Sequence, residues 1–153
     1  MDSVIHLPLQ RMWILVIVYQ ENSLTPDLIN ALRIAVGWTP FSLLQLERSI
    51  GATSCSVTAW SDNHPVGMAR LIGDGIYYFL CDVIVIPDFQ KHGIGRHMVD
   101  HLIEYARQGL APGERCSVVL VSAEGKENFY SSLGFATIPN NRAGYGMQLF
   151  LSK

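Results

Sequence analysis

The stretch Asp82-Val-Ile-Val-Ile-Pro-Asp-Phe-Gln-Lys-His-Gly-Ile-Gly-Arg96 constrains the fold of this chain more than any other. Its β-branched apolar run has the composition of a buried strand, and Pro87 stops it. A short polar turn ends in Gly93-Ile94-Gly95, after which Met98, Leu102, Tyr105 and Ala106 recur at helical spacing. The reading is strand, glycine turn, helix. Where side chains are small or missing, backbone N–H groups converge on the start of a helix, and the dipole adds about half a positive charge there. The ligand expected at such a turn is a phosphate or pyrophosphate. Two familiar phosphate loops are excluded: no Lys-Ser/Thr pair follows the second glycine, and the position three beyond Gly95 is Met98 rather than a third glycine.

A chain of 153 residues with 49% apolar and 16% charged side chains has material for one well-buried core, so a single domain over 1–153 is expected. The formal net charge of -2 supplies no general attraction to polyanions, and neither nucleic acid nor a membrane is expected as a partner. Met12 to Tyr19 is the most apolar run, but it falls far short of the roughly 20 residues that span a bilayer. It is expected to be a strand buried on both faces. Cys55, Cys81 and Cys116 are odd in number and widely spaced, which fits reduced thiols and a cytoplasmic location. His97 and His101 stand at i and i+4 without the glutamate that accompanies a metalloprotease pair, and no other zinc spacing occurs, so no metal is expected.

Caps, periodicity and turns outline the other elements. Thr25-Pro26-Asp27 starts a helix carrying Leu28, Leu32, Ala35 and Val36 and ended by Gly37, and a second short helix is expected from Ser42 to Ile50. Cys55 to Trp60 and Val66 to Ile72 form a hairpin about a turn at 61–65, and a second turn at Gly73-Asp74-Gly75 leads into a long strand, Ile76 to Ile86, with a bulge or splay near its middle. After the helix, which should fade near Gln108-Gly109, Cys116 to Val121 reads as a strand, so strand, helix and strand make a parallel right-handed crossover. Glu124 to Leu133 is expected as a short helix, and Phe135 to Ile138 and Tyr145 to Leu151 as two closing strands.

Val83-Ile84-Val85-Ile86-Pro87, with Gln90, Gly93 and Gly95 beyond it, resembles the acyl-CoA-binding motif of the Gcn5-related N-acetyltransferase (GNAT) superfamily, which carries Arg or Gln at the first loop position. Ala31-Leu32-Arg33 with Val36-Gly37-Trp38 resembles the end of the first helix in many small bacterial members. Asn128-Phe129-Tyr130-Ser131-Ser132-Leu133-Gly134-Phe135 resembles their Phe-Tyr-x-x-Leu-Gly-Phe segment. The resemblance implies an α+β fold, a twisted mixed sheet of about six to seven strands with about four helices, whose central strands splay to form a CoA slot.

It also implies acetyl-CoA as the acetyl donor. Backbone N–H groups of Lys91, His92, Gly93, Ile94, Gly95 and Arg96, with Gln90 at the loop start, would hold the pyrophosphate. The edge of Val83, Ile84 and Val85 would pair with the pantetheine amides, and one of its N–H groups would stabilise a developing oxyanion. Lys126 would contact the nucleotide end, and Asn128 and Phe129 are further candidate cofactor contacts. Tyr130 would act as general acid toward the leaving thiolate, with Asp82 or Glu124 as candidate bases. Asp82 is the better candidate of the two, since a lone carboxylate in an apolar strand beside the motif is costly unless solvated in a cleft or paired, and a structural hydrogen-bonding role is its alternative. Many relatives carry asparagine seven residues before the tyrosine, where this chain has Ala123. Trp38, Phe41, Tyr77 and Tyr78 are candidates to line an acceptor pocket. The expected activity is direct transfer from acetyl-CoA to a primary amine of a small molecule. A protein or peptide amine and a non-catalytic acyl-CoA sensor are the alternatives, and homodimers are common among relatives.

Overall fold

Of the four α-helices among the described residues, three begin where the sequence places a start signal. In the computed structural model, which describes residues 15–152, α1 spans Pro26–Ala35 with Thr25 as its cap, the hydroxyl accepting from Leu28 N at 3.2 Å. Helix α2 spans Leu43–Gly51, with the Ser42 hydroxyl accepting from Gln45 N. Helix α3 spans Ile94–Gln108 and starts from Gly93. Among the described residues no helix is long and apolar enough to cross a membrane.

Among the described residues the sheet has five strands in the order β1-β2-β3-β4-β5: Val18–Glu21, Cys55–Ser61, His64–Gly73, Tyr77–Val85 and Ser117–Val119. The first three pairings are antiparallel, and β4 pairs with β5 in parallel through the α3 crossover, as expected. The β2–β3 turn is tighter than the sequence reading: Asp62 and Asn63 take φ of 47° and 61°, and His64 and Pro65 already belong to the strand. That pair of left-handed residues is the hairpin geometry whose twist matches the flanking strands.

Helix α3 covers one face of the sheet, where Met98, Val99, Leu102 and Ala106 pack on Val57, Ala59, Ala69, Leu71 and Leu80. Helices α1 and α2 cover the other, where Leu28, Ile29, Leu32 and Leu46 pack on Met68 and Ile84. The sheet is therefore the middle layer of three.

Three expectations are corrected. The opening strand starts at Val18 and runs to Glu21, while Met12 to Ile14 lie outside the described residues. Among the described residues it is an edge strand with one neighbour, and Val18 is 53% exposed rather than buried on both faces. The last helix, α4, is shorter than expected, Glu127–Ser131, because Glu124 and Gly125 turn the chain, with Gly125 at φ 77°. The two closing strands are not formed. Residues 135–151 contain only an isolated bridge between Asn140 and Ala143, so among the described residues the sheet has five strands where about six to seven were expected. Tyr145, Met147, Leu149 and Leu151 alternate as a strand would, but among the described residues they find no hydrogen-bonded neighbour and stay more than 80% exposed.

Candidate active site

The slot starts where β4 and β5 part. They pair only as Tyr77 with Ser117, Tyr78 with Val118 and Phe79 with Val119. Beyond Phe79, β4 continues to Val85 with no partner on that side among the described residues, leaving a free strand edge. A bulge accompanies the parting. Met68 lies opposite Ile84 but Arg70 lies opposite Cys81, so two steps along β3 match three along β4. The extra residue falls at Asp82–Val83, and Asp82 takes the left-handed φ of 49°.

The chain leaves β4 through a single helical turn, Pro87–Phe89, and reverses into α3. The Gln90 side-chain amide donates to the Val85 carbonyl at 2.9 Å and folds the loop back on the strand end. Lys91 and Gly93 have φ of 64° and 80°, and the Gly93 cap has no side chain to satisfy the first turn. The first α3 bond runs from His97 N to Gly93 O at 3.0 Å. Among the described residues the N–H groups of residues 91–96 find no acceptor within the chain, in a turn where Lys91, His92 and Arg96 are exposed cations or a titratable ring. Unspent donors at a helix N-terminus suit a phosphate.

Helix α4 stands against this turn. A Cβ on Gly95 would come within 3.3 Å of Phe129 Cζ, so the glycine is what allows the ring its place. The Arg96 guanidinium donates to the Ser132 hydroxyl at 3.0 Å and to its carbonyl at 3.3 Å, tying the start of α3 to the end of α4. Tyr130 follows Phe129 and meets it edge to face at 5.0 Å, with Phe135 at 6.0 Å on the same ring. Burial pushes its phenol above the usual 10.0, so at neutral pH it is a protonated donor. Lys126 and Asn128 are exposed on α4 and its cap, and Glu124 is exposed in the loop between β5 and α4.

Asp82 is ion-paired. Its Oδ1 accepts from Arg33 Nη1 at 3.1 Å and its Oδ2 from Arg70 Nε at 2.6 Å, with the side chains of Asp82, Arg33 and Arg70 only 15%, 11% and 13% exposed. The Arg33 guanidinium also lies over the rings of Phe41 at 4.3 Å and Trp38 at 5.3 Å. The four candidate acceptor-side aromatics thus divide. Trp38 and Phe41 gather around Arg33, whereas Tyr78 is buried in the core and Tyr77, 70% exposed, lines an open concavity of about 330 Å³ with Phe79 and Val119 at the paired end of β4. Sequence reasoning passed over Arg33 and Arg70 as functional residues. The signal was the lone acid in an apolar strand, which requires a cation from somewhere.

His97 and His101 do not converge on one site: His97 stacks on Tyr19 at 3.8 Å, and His101 Nε2 meets Glu21 Oε2 at 2.8 Å.

Comparison with known proteins fits this geometry. Residues 23–135 match the family model described as the acetyltransferase (GNAT) family. The chain is 30% identical over 129 residues to GCN5-related N-acetyltransferase 1, chloroplastic, of Arabidopsis thaliana, covering 80% of this chain and 62% of that one. It is 31% identical to serotonin N-acetyltransferase 2, chloroplastic, of Oryza sativa subsp. japonica, covering 82% of this chain and 64% of the relative. The chain therefore spans somewhat under two thirds of either plant protein. A GNAT family acetyltransferase from Streptococcus pneumoniae superposes with a TM-score of 0.74 at 27% identity, covering 90% of this chain and all of its own, 100%.

Proposed function

Because this chain belongs to the GNAT acetyltransferase family, we propose that it is an N-acetyltransferase that passes the acetyl group of acetyl-CoA directly to a primary amine of a small molecule. One observation carries the reading: among the described residues, the β4 edge beyond Phe79 has no partner and the turn that follows it into α3 has N–H groups, 91–96, without an acceptor. A strand edge and an anion cradle in that order fit a ligand with amides at one end and a pyrophosphate at the other.

Acetyl-CoA supplies the activated acyl group, and the chain supplies placement and proton transfer. The amides of residues 91–96 hold the pyrophosphate, and the Val83–Val85 edge pairs with the pantetheine amides. An N–H of that edge faces the thioester carbonyl oxygen, where negative charge develops as the amine nitrogen bonds to the carbonyl carbon. As the carbon–sulfur bond breaks, Tyr130 gives its phenolic proton to the departing sulfur. Glu124, exposed in the loop between β5 and α4, is the candidate to accept the proton that the amine loses.

The acceptor enters on the side of Trp38 and Phe41. These are 37% and 43% exposed, so each offers ring surface to an aromatic or apolar amine. The rice relative's name, a serotonin N-acetyltransferase, supports an acceptor of that kind.

A panel of primary amines assayed for free CoA thiol tests the proposal. Release that requires both acetyl-CoA and an amine is expected, and Tyr130→Phe should lower kcat by roughly 10²-fold while leaving acetyl-CoA affinity in place. Acetyl-CoA binding without release for any amine would overturn transfer in favour of a sensor, and an unchanged kcat in Tyr130→Phe would remove the acid role.

A further inference from the structure

We infer that Asp82 is a positioning residue rather than the base: its carboxylate, clasped by Arg33 and Arg70, pins the left-handed bulge of β4 and couples the acceptor wall to the strand edge that receives acetyl-CoA. The inference rests on the acetyl-transfer reading above.

A non-glycine residue at φ 49° persists only where its surroundings hold it there. Arg70 reaches Asp82 from β3 at the bulge itself and is steadied by the Thr53 hydroxyl at 3.3 Å. Arg33 reaches it from the last turn of α1, and its Nε donates to the Thr39 carbonyl at 2.9 Å. The loop that Arg33 holds is closed further by Asn30, whose side chain donates to Phe41 O at 2.8 Å and accepts from Phe41 N at 3.0 Å. One carboxylate thus gathers β3, β4, α1 and the Trp38–Phe41 loop. Both of its oxygens already accept charge-assisted hydrogen bonds, so taking a proton from an amine would cancel the charge that both guanidiniums pair with.

The bulge matters because successive residues of a strand present their N–H and C=O groups to opposite sides. One extra residue at 82–83 therefore decides which of Val83, Ile84 and Val85 faces the slot and which faces β3. Without it, slot-facing and sheet-facing amides would exchange, and the acyl group would meet a different set of donors. Because Arg33 is also stacked on Trp38 and Phe41, the same clasp fixes how far the acceptor wall stands from that edge.

The test compares wild type, Asp82→Asn, Arg33→Gln and the double variant. The measurements are acetyl-CoA Kd by calorimetry, kcat/KM for the best amine, its pH–rate profile, and amide hydrogen exchange over 83–86. Each single change is expected to lower kcat/KM by about 10- to 100-fold and to speed exchange at 83–86, with the ascending limb of the pH profile unmoved. The double variant should cost no more than the worse single one. If Asp82→Asn abolishes the ascending limb while Arg33→Gln retains wild-type kinetics, Asp82 is the base and the inference fails. Wild-type kinetics and exchange in both variants would also overturn it. Should Asp82→Asn fail to fold, with two guanidiniums left uncompensated, Arg33→Gln decides the matter by the same readouts, because the Asp82–Arg70 pair remains. A wild-type protein that binds no acetyl-CoA would instead sink the transfer reading itself.

Discussion

Substitution at Gly95 separates the anion-binding role of the turn from its packing role. An added Cβ would lie 3.3 Å from Phe129 Cζ and 3.7 Å from both Phe129 Cε2 and Val85 Cγ2. Carbon contacts are optimal at about 3.5–4.0 Å, so in Gly95→Ala the Phe129 ring must retreat by about 0.2–0.7 Å. Alanine in place of a helical glycine contributes about 0.4–1 kcal/mol by narrowing the unfolded ensemble, which offsets the crowding. A Tm within about 4 °C of wild type is therefore expected. Kinetics should respond more. Helix α4 has five residues and no fully buried side chain, so it yields when Phe129 is pushed, and Tyr130 moves with it. A misplacement of about 1 Å costs about 10²-fold in rate, which puts Gly95→Ala at a loss of about 3- to 10-fold in kcat. Gly95→Val adds two methyl groups to the same contact and should cost about 10²-fold in kcat and about 1–3 kcal/mol of stability. The assay is thiol release at saturating acetyl-CoA, with calorimetric Kd and thermal melts on the same preparations. Since the Gly95 N–H survives in the alanine variant, its acetyl-CoA Kd should stay within about threefold. A Gly95→Val enzyme with wild-type kcat and Tm would refute the reasoning. So would an alanine variant that loses acetyl-CoA binding yet keeps kcat when saturated.

Two further outcomes follow from burial. Burial, with the nearby Glu21 carboxylate adding to it, pushes the Cys55 thiol from 9.0 up to about 11, and burial does the same to Cys81. Their stabilising contribution is whole below pH 9.0 and is lost as pH rises toward 11, by at most about 3 kcal/mol per thiol. Melts from pH 8 to 11 should therefore show Tm falling through that window, and Cys55→Ala should flatten the fall; an identical slope in the variant would contradict this. Leu32, 2% exposed between α1 and the Met68–Ile84 face, should cost about 2–5 kcal/mol when cut to alanine, read from denaturant midpoints at constant slope. A loss below 1 kcal/mol would mean that α1 is not packed as described.

The elements legible in the sequence were those that residues close along the chain decide. Thr25 and Ser42 cap the amides of Leu28 and Gln45, three positions away, and both helix starts were readable for that reason. The bulge in β4 was foreshadowed by a strand too long for its hairpin. Its fastening was not, because Arg33 and Arg70 lie 49 and 12 residues from Asp82, and no local pattern names them as partners. The same distinction accounts for the errors. The register of β1 is chosen by β2, which pairs Val18 with Trp60 and Glu21 with Val57, so the apolar run alone misplaced it. Tyr145 to Leu151 carries a strand's alternation, but alternation does not guarantee a neighbour to bond with. Within the site, the glycine turn could be read as an anion cradle from the residues alone. Tyr130 could not be read as an acid without the resemblance, because one aromatic among several looks like core. Trp38 and Phe41 were separated from Tyr77 and Tyr78 only by the fold, which gathers the first pair around Arg33 and its Asp82 partner and leaves the second at the start of β4.

The central claim is that one slot holds both ends of acetyl-CoA, pantetheine on the β4 edge and pyrophosphate on the amides of 91–96. Calorimetric titration of the wild-type protein with acetyl-CoA, and in parallel with S-acetylpantetheine, which lacks the pyrophosphate, tests it most directly. A charge-assisted hydrogen bond is worth about 1.5–3 kcal/mol and each 1.4 kcal/mol is tenfold in Kd, so losing two or more should weaken binding by at least about 10²-fold. The account predicts saturable binding of acetyl-CoA at one site per chain, with the truncated thioester weaker by that factor. Equal affinity for the two ligands, or no binding of either, would contradict it.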